Sequence, residues 1–310
     1  MGTTLVNAQA RQLPPCFPEP WASGWGQDRR GLWQSFSVKG VVQVLRWIPP
    51  GDFLMGSPPD EPKRESFGND ETQHRVVLTQ GYWLADTACT QALWQAVLGE
   101  DPSRFKGAER PVERVSWSDV VERLLPALNA QVPGLDAVLP TEAQWECACR
   151  AGTDTPFSFG STITTDQVNY DGNHPYGDGA KGEYRERTVE VKALPANAWG
   201  LYQMHGNVWE WCADWLGDYP ADAVVDPLGP PGGRRRVLRG GGWIDYARDC
   251  RSASRNGREP AYRDDDFGLR LSRGSSPRPA GGVGVAGVVA GGRAPATAPD
   301  APAPGGPGAA

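Results

Sequence analysis

From residue 151 to residue 273 the chain carries almost no helical periodicity. Gly, Asn, Asp and Pro recur throughout, and they separate short apolar runs such as Arg236-Val237-Leu238-Arg239 and Phe267-Gly268-Leu269-Arg270-Leu271. A core closed by such pieces has to be built from short strands and long loops. Apolar residues make up only 39% of the 310, but 13 Trp, 8 Tyr and 8 Phe supply bulk. Each aromatic side chain buries roughly 150–250 Å², so a few of them enclose a core that the aliphatic content alone would not. The 39 Gly and 29 Pro suit the same turn-rich design.

The first half of the chain reads differently. Residues 1–39 hold Pro14, Pro15, Pro18, Pro20, Trp21, Trp25 and Trp33, and they predict an irregular lead-in packed on the domain. Residues 41–47 alternate as a strand does, and Pro49-Pro50-Gly51 predicts a turn into a second strand at residues 53–55. Residues 58–73 are polar and Gly/Pro-bearing, a loop. Residues 76–78 and 82–84 predict another short hairpin. Three helices have start signals. Thr90 stands before the stripe Leu93, Trp94, Val97, Leu98. Ser116-x-x-Asp119 and Thr141-x-x-Gln144 are capping boxes, the first ahead of Val120, Val121, Leu124, Leu125 and Leu128 and the second ahead of Trp145 and Cys149. Two or three helices among many loops predict an α+β domain over residues 40–273, with no repeated βαβ layout and no internal repeat. Residues 274–310 contain 10 Gly, 10 Ala, 7 Pro and no aromatic, which predicts a disordered tail or the remnant of an interdomain linker.

Composition narrows the function classes. Lys and Arg number 31 against 37 Asp and Glu, a net charge of -6, which argues against a nucleic-acid surface. There is no apolar stretch of about 18 residues, so no membrane span is expected. The first fifteen residues lack the apolar centre of a signal peptide. The six cysteines, Cys16, Cys89, Cys147, Cys149, Cys212 and Cys250, show no CxxC and no framework spacing. Reduced, buried thiols in a cytoplasmic protein are the expectation.

The informative strings lie between Leu139 and Arg270. They are Leu139-Pro-Thr-Glu-Ala-Gln-Trp-Glu146, Cys149-Arg-Ala-Gly152 and Gly200-Leu-Tyr-Gln-Met-His-Gly-Asn-Val-Trp-Glu-Trp211. Arg239-Gly-Gly-Gly-Trp243, Cys250-Arg-Ser-Ala-Ser-Arg-Asn256 and Phe267-Gly-Leu-Arg270 follow. In this order and spacing they resemble the formylglycine-generating enzyme (sulfatase-modifying factor) family over roughly residues 40–273. The resemblance implies an α+β, C-type-lectin-like fold: a small twisted antiparallel sheet, two or three helices, and long loops held by buried Trp and Arg. Read physically, Trp209, Trp211 and Trp243 each combine apolar bulk with one N–H, a residue type that pins loops to a core. Arg239, Arg251, Arg255 and Arg270 suit planar bidentate pairing with partners such as Glu142 and Glu210.

The resemblance also implies a Cu(I) site made by two cysteine thiolates five residues apart after the Arg-Gly-Gly string. Here Cys250 falls at the second position, but Asp245 stands at the first. One soft thiolate with a hard carboxylate does not reproduce that site, so no copper is expected. His74, His174 and His205 show no ligand spacing, which makes an iron site built from them the lesser alternative. Calcium, in a structural role, is the cofactor the resemblance leaves open. One set matches Gly206, Val208 and Glu210, with Gln203 where Asn or Asp is usual. The other begins at Asn169 and Tyr170, with Lys181 where its Asp partner belongs and Asp178 nearby.

Between Trp243 and Phe267, the positions Ile244, Asp245, Tyr246, Asp249, Ser254, Gly257, Arg258, Tyr262, Asp264, Asp265 and Asp266 could each descend from an Asn codon by adenine changes alone. That pattern resembles the variable region of diversity-generating-retroelement variable proteins, which share this fold. With Asn256, these residues form the candidate face for an unidentified protein or small-molecule ligand. Tyr246 and Tyr262 are its anchors, and Asp245, Asp264 and Asp266 its polar selectors. The rival expectation is a metal-dependent oxidoreductase of the sulfatase-modifying type with a non-standard site.

Overall fold

The computed structural model describes residues 13–64 and 70–274. The Gly/Ala/Pro tail beyond residue 274, the first twelve residues of the lead-in and residues 65–69 lie outside the described residues. Among the described residues twelve strands form three small sheets. The first runs β1 (Gly24–Asp28), β2 (Gly31–Val38), β3 (Val41–Ile48), β6 (Tyr82–Ala85), β12 (Ser272–Arg273), antiparallel throughout. The second runs β10 (Arg255–Arg258), β9 (Arg236–Arg239), β7 (Trp209–Trp215), β11 (Phe267–Leu269), with β11 parallel to β7. The third joins β4 (Gly51–Met55), β5 (His74–Leu78) and the two-residue β8 (Val224–Val225).

Two local expectations change here. The lead-in is not irregular throughout, because residues 24–38 make the β1–β2 hairpin that extends the first sheet. Its inward positions include Gln34 and Ser35, and those buried polar residues hide the alternation from a hydrophobicity pattern. Residues 76–78 and 82–84 do not pair with each other either. The chain turns a corner after β5 and β6 joins β3, as it also does between β3 and β4, so consecutive strands serve different sheets.

The helices start where their caps predict. Thr90 Oγ1 accepts from Leu93 N at 3.1 Å, ahead of α1 (Gln91–Leu98). Ser116 and Asp119 exchange side chain-to-backbone bonds of 3.1 and 2.9 Å before the helical stretch from Trp117 to Gln131. That stretch is α2 (Trp117–Asp119), a π turn over Val120–Leu124, then α3 (Leu125–Gln131). Pro126, which offers no N–H to the carbonyl four residues back, explains the wider turn before it. Thr141 and Gln144 cap α4 (Glu142–Arg150) in the same reciprocal way at 3.1 and 3.0 Å.

The largest core packs α1, the π turn and α3 on the first sheet through Phe36, Leu45, Trp83, Leu93, Trp94, Leu124 and Leu128, and it continues into Trp209 and Trp211. A second cluster seats Trp145 of α4 against Tyr82, Leu84 and Val237. A third, Phe157, Ile163, Val168, Tyr170, Tyr176, Ala247 and Cys250, holds the loops that carry the candidate face.

Candidate functional site

Loops without regular structure need another source of rigidity, and here it is buried ion pairing. Arg270 donates from Nε and Nη2 to both oxygens of Glu210, at 2.9 and 2.8 Å, and Trp145 Nε1 adds a third bond to that carboxylate at 2.7 Å. Arg255 grips Glu142 in the same bidentate way at 2.7 and 2.8 Å. Arg251 reaches Glu71 at 2.8 and 2.9 Å and Glu61 at 2.6 Å. Arg239 pairs with Glu146, which also accepts from Arg150 Nε at 2.8 Å. All four arginines expected to pair do so. Burial alone would lower their pKa, but for Arg239, Arg251 and Arg255 the adjoining carboxylates outweigh it and raise the value.

This lattice fixes the segment 243–266, whose start is pinned by indoles. Gly242 N and Trp209 Nε1 each donate to Asp245 Oδ2 at 2.7 Å. Trp243 Nε1 donates to the Asp265 carbonyl at 3.2 Å, while its ring meets Phe105 edge-on at 5.3 Å and stacks near Tyr184 at 6.2 Å. Trp211 Nε1 reaches the Val115 carbonyl at 3.0 Å. Tyr246 lies on the ring of His174, centroids 3.8 Å apart, and Asp171 N donates to the Asp245 carbonyl at 2.9 Å. Residues 247–250 then form a 3₁₀ turn that carries Cys250 into the third core cluster.

The twelve residues of the candidate face divide into three groups by exposure. Ile244, Tyr246 and Tyr262 are exposed at 47, 36 and 44%, and Asp264 is exposed beside Tyr262, whose hydroxyl donates to Asp264 Oδ2 at 3.1 Å. Asp245, Arg258 and Asp265 are half-buried. Asp249, Ser254, Asn256, Gly257 and Asp266 are interior, contrary to their place on the expected face. Asp249 Oδ2 accepts from Tyr246 N at 3.3 Å, Ser254 leads into β10, and Asn256 Oδ1 accepts from Gly257 N and Arg258 Nη1, each at 2.8 Å. Pairing of β10 with β9 draws Asn256 and Gly257 inward, the 3₁₀ turn takes Asp249 in beside Cys250, and codon arithmetic is blind to both. Beside Tyr262 an open cleft of about 710 Å³ is lined by Leu216, Arg234, Arg235, Gly257, Arg258 and Glu259. His174, Tyr184 and Phe105 also shape the face. No local sequence signal marked them, since each arrives from a distant loop.

The carboxyls of the face are electrostatically unusual. Burial, with the charge of Asp249 beside it, pushes Asp245 up to about 7 despite its two N–H donors. Asp266 is raised well above the ordinary carboxylate range by burial and by Asp245, Asp264 and Asp265. The thiol of Cys250 is raised well above its usual value by burial and by Asp245.

At the two positions where the resemblance places copper ligands, the residues do not fit that metal. Asp245 offers a hard oxygen already bonded to two N–H groups. Cys250 is fully buried beneath Gly241, whose φ is +78° and where a Cβ would lie 2.7 Å from Sγ. The histidines do not gather either. His205 is buried, with Nδ1 2.7 Å from the Cys250 carbonyl and Nε2 accepting from Ser158 N at 3.1 Å, and burial lowers its pKa to about 4. His74 sits on Tyr219 and His174 on Tyr246.

The calcium positions differ from each other. Glu210 has both oxygens committed to Arg270 and Trp145, and Gln203 Oε1 accepts from Asn207. The Gly206 carbonyl accepts from Val208 N at 3.0 Å. Asn169 is fully buried and bridges to Gly206; its Nδ2 donates to Arg187 O and Asn207 Oδ1, but its Oδ1 has no donor among the described residues. Tyr170 is buried beside it, its hydroxyl directed at the Ile163 carbonyl.

Comparison with known proteins gives a consistent picture. A model of the sulfatase-modifying factor enzyme 1-like domain matches residues 38–274. The formylglycine-generating enzyme of Bos taurus is 31% identical over 207 residues, covering 64% of this chain and 52% of that protein. The formylglycine-generating enzyme of Streptomyces coelicolor is 32% identical over 226 residues, covering 67% of this chain and 69% of that protein. The chain therefore spans about half the length of the mammalian relatives it matches. Among solved structures, variable protein 1 of Treponema denticola superposes with a TM-score of 0.66 at 28% identity, covering 78% of this chain and 98% of that one. PvdO from Pseudomonas aeruginosa gives 0.62 at 24% identity, with 81% and 98% covered, a likeness of fold.

Proposed function

Because the chain belongs to the sulfatase-modifying factor enzyme 1-like family, we propose that it binds a protein or small ligand through the 244–266 face rather than performing copper chemistry. Its fold is the C-type-lectin-like α+β fold of that family and of the Treponema variable protein. The observation that carries the proposal is Asp245. At the position where a thiolate would be required, its carboxylate instead ties Gly242 and Trp209 together, so the residue acts as scaffold.

What remains accessible around it suits recognition. Tyr246, braced on His174, and Tyr262, braced on Phe267 at 5.7 Å, offer rigid aromatic area at low entropic cost. Asp264 is exposed and Asp265 half-exposed between them. Likeness to a variable protein supports a display role, with diversification of these positions as its stronger form. A structural calcium at Asn169 belongs to the same reading, because a buried amide oxygen without a donor is what a cation satisfies. Among the described residues no helix is long and apolar enough to cross a membrane.

The test has two arms. Cu(I) titration of purified protein, with oxygen uptake measured on a cysteine-containing peptide, should give neither a tight equivalent of copper nor consumption. Stoichiometric copper together with oxygen uptake would replace this proposal with the oxidoreductase reading. In the second arm, a ligand selected from a peptide library should lose its affinity for a Y246A/Y262A variant. Unchanged affinity removes the face.

A further inference from the structure

Three consecutive arginines, Arg234, Arg235 and Arg236, lead into β9, and the fold uses them differently. Arg236 turns inward. Its guanidinium lies between the rings of Trp117 and Trp215, 3.8 and 3.6 Å from their centroids, and Nη1 donates to the Ala213 carbonyl at 2.6 Å. Arg234 and Arg235 stay exposed on the wall of the cleft beside Tyr262, and Arg258 of β10 reaches the same space. The arginines of the rear lattice each meet a carboxylate; in the cleft only Arg234 does. It donates from Nε and Nη2 to Glu259 Oε1 at 2.9 and 2.8 Å, a pair exposed at 86 and 59% and therefore easily displaced. Arg258 Nη1 meets only neutral oxygens, Asn256 Oδ1 at 2.8 Å and the Gly257 carbonyl at 3.1 Å. The Arg235 side chain has no hydrogen bond or ion pair among the described residues.

Three guanidinium groups against the single carboxylate of Glu259 thus line a cleft of about 710 Å³, in a chain whose net charge is -6. The floor is Leu216 and the bare backbone of Gly257. A Cβ at Gly257 would lie 2.8 Å from Leu216 Cδ2 and 3.4 Å from Arg235 Cβ, so the glycine keeps the space between them open. At one end stands Tyr262. The Arg258 guanidinium is 5.9 Å from its ring centroid, and its hydroxyl donates to Asp264. A guanidinium at the ring and a carboxylate at the hydroxyl make the face change sign at Tyr262, which fixes the direction in which a charged chain can lie.

Resting on the reading of residues 244–266 as a binding face, we propose that the cleft of Arg234, Arg235 and Arg258 docks an acidic peptide segment. Carboxylates of the partner lie on Arg235 and Arg258, and the adjoining residue packs against Tyr262. Planar guanidinium forks match carboxylates, and the two arginines without an acidic partner each have donors to give. A concentration of positive charge on an otherwise acidic surface also steers such a segment to this place. Nucleic acid fits less well. Its backbone is charged at every unit and would run on past Tyr262 into Asp264 and Asp265, whereas a short acidic segment stops there.

Fluorescein-labelled tetraglutamate is the probe, with labelled tetralysine beside it. Wild-type protein should bind tetraglutamate saturably, at least tenfold more tightly than tetralysine, and the affinity should fall as salt is raised. R235E should weaken tetraglutamate at least tenfold, and R235K, which keeps the charge but loses the fork, should lie between the two. Because Arg235 is exposed and unpartnered, near-UV circular dichroism of both variants should match wild type. Equal titrations of wild type and R235E would overturn the assignment, as would an absence of saturable binding at low salt. Tighter binding of oligothymidylate, or of a phosphoserine peptide of the same net charge, would overturn it too, by assigning the cleft to phosphate. Y246A lies outside the cleft and tests the face through its library-selected ligand, so failure of the cleft and failure of the face give different results.

Discussion

Behind the loops, Arg239, Arg251, Arg255 and Arg270 each meet a carboxylate in planar contact; at the front, Asp245 and Asp266 meet one another. The two regions are joined by the 3₁₀ turn and by β11, so a few residues separate matched charge from unmatched charge. Regular sheet and helix satisfy their own backbone, whereas long loops depend on side chains. The rear lattice does that service, with guanidinium groups reaching carbonyls as well as carboxylates, as Arg270 does at Ala85 and Tyr202. The front violates the same rule of compensation within the same fold. Departures of that kind concentrate where a protein is shaped for binding rather than for stability.

The largest effect should come from breaking the rear. An E210A variant leaves Arg270 and the Trp145 N–H buried without their partner, and chemical denaturation should show a loss of about 3–5 kcal/mol. A loss below about 1 kcal/mol would show that the lattice is not what holds the loops.

A pH series gives a smaller effect. Burial, together with Glu142 beside it, raises Asp214 to about 7. Its unfolded value is about 3.9, so the folded state binds the extra proton and the stability due to this group falls as pH rises from about 4 to about 7. His205, lowered to about 4, acts in the opposite sense between about 4 and 6.5. Thermal midpoints of wild type and D214N across that range isolate the carboxyl: the variant should lose the falling component. Parallel curves for the two proteins would assign the slope to other groups.

At the front the expected stability change is smallest. Y246A and Y262A remove exposed rings outside the core clusters, so each should shift unfolding by within about 0.5 kcal/mol while ligand binding is lost. A large destabilisation would mean that Tyr246 and its His174 support brace the turn instead of presenting a surface.

Much of the rear lattice was legible in the amino-acid order. The capping boxes at Ser116 and Thr141 form as spaced, and Arg255 and Arg270 find Glu142 and Glu210 because these types in these strings leave few other buried partners. The β1–β2 hairpin was not legible, since Gln34 and Ser35 face inward and break the apolar alternation. Nor was the interior position of Asn256, which depends on β10 pairing with β9 across the sheet, or of Asp249, which the 3₁₀ turn carries inward with Cys250. The support that His174, Tyr184 and Phe105 lend to the face also comes from contacts far apart in sequence. Local pattern carries caps and partners well; register and loop convergence belong to the folded whole.

The strands β11 and β12 are separated by only Arg270 and Leu271, yet β11 adds to the second sheet and β12 to the first. Arg273, at the end of β12, also holds Glu19 near the start of the described chain at 2.6 Å. The final seven residues of this stretch therefore act as a clasp, and during synthesis the clasp emerges last. Until residue 273 has left the ribosome, Trp209, Trp211 and the edge of β6 lack their closing strands. Folding of this domain should thus be late, slow and dependent on protection of an open, Trp-rich intermediate.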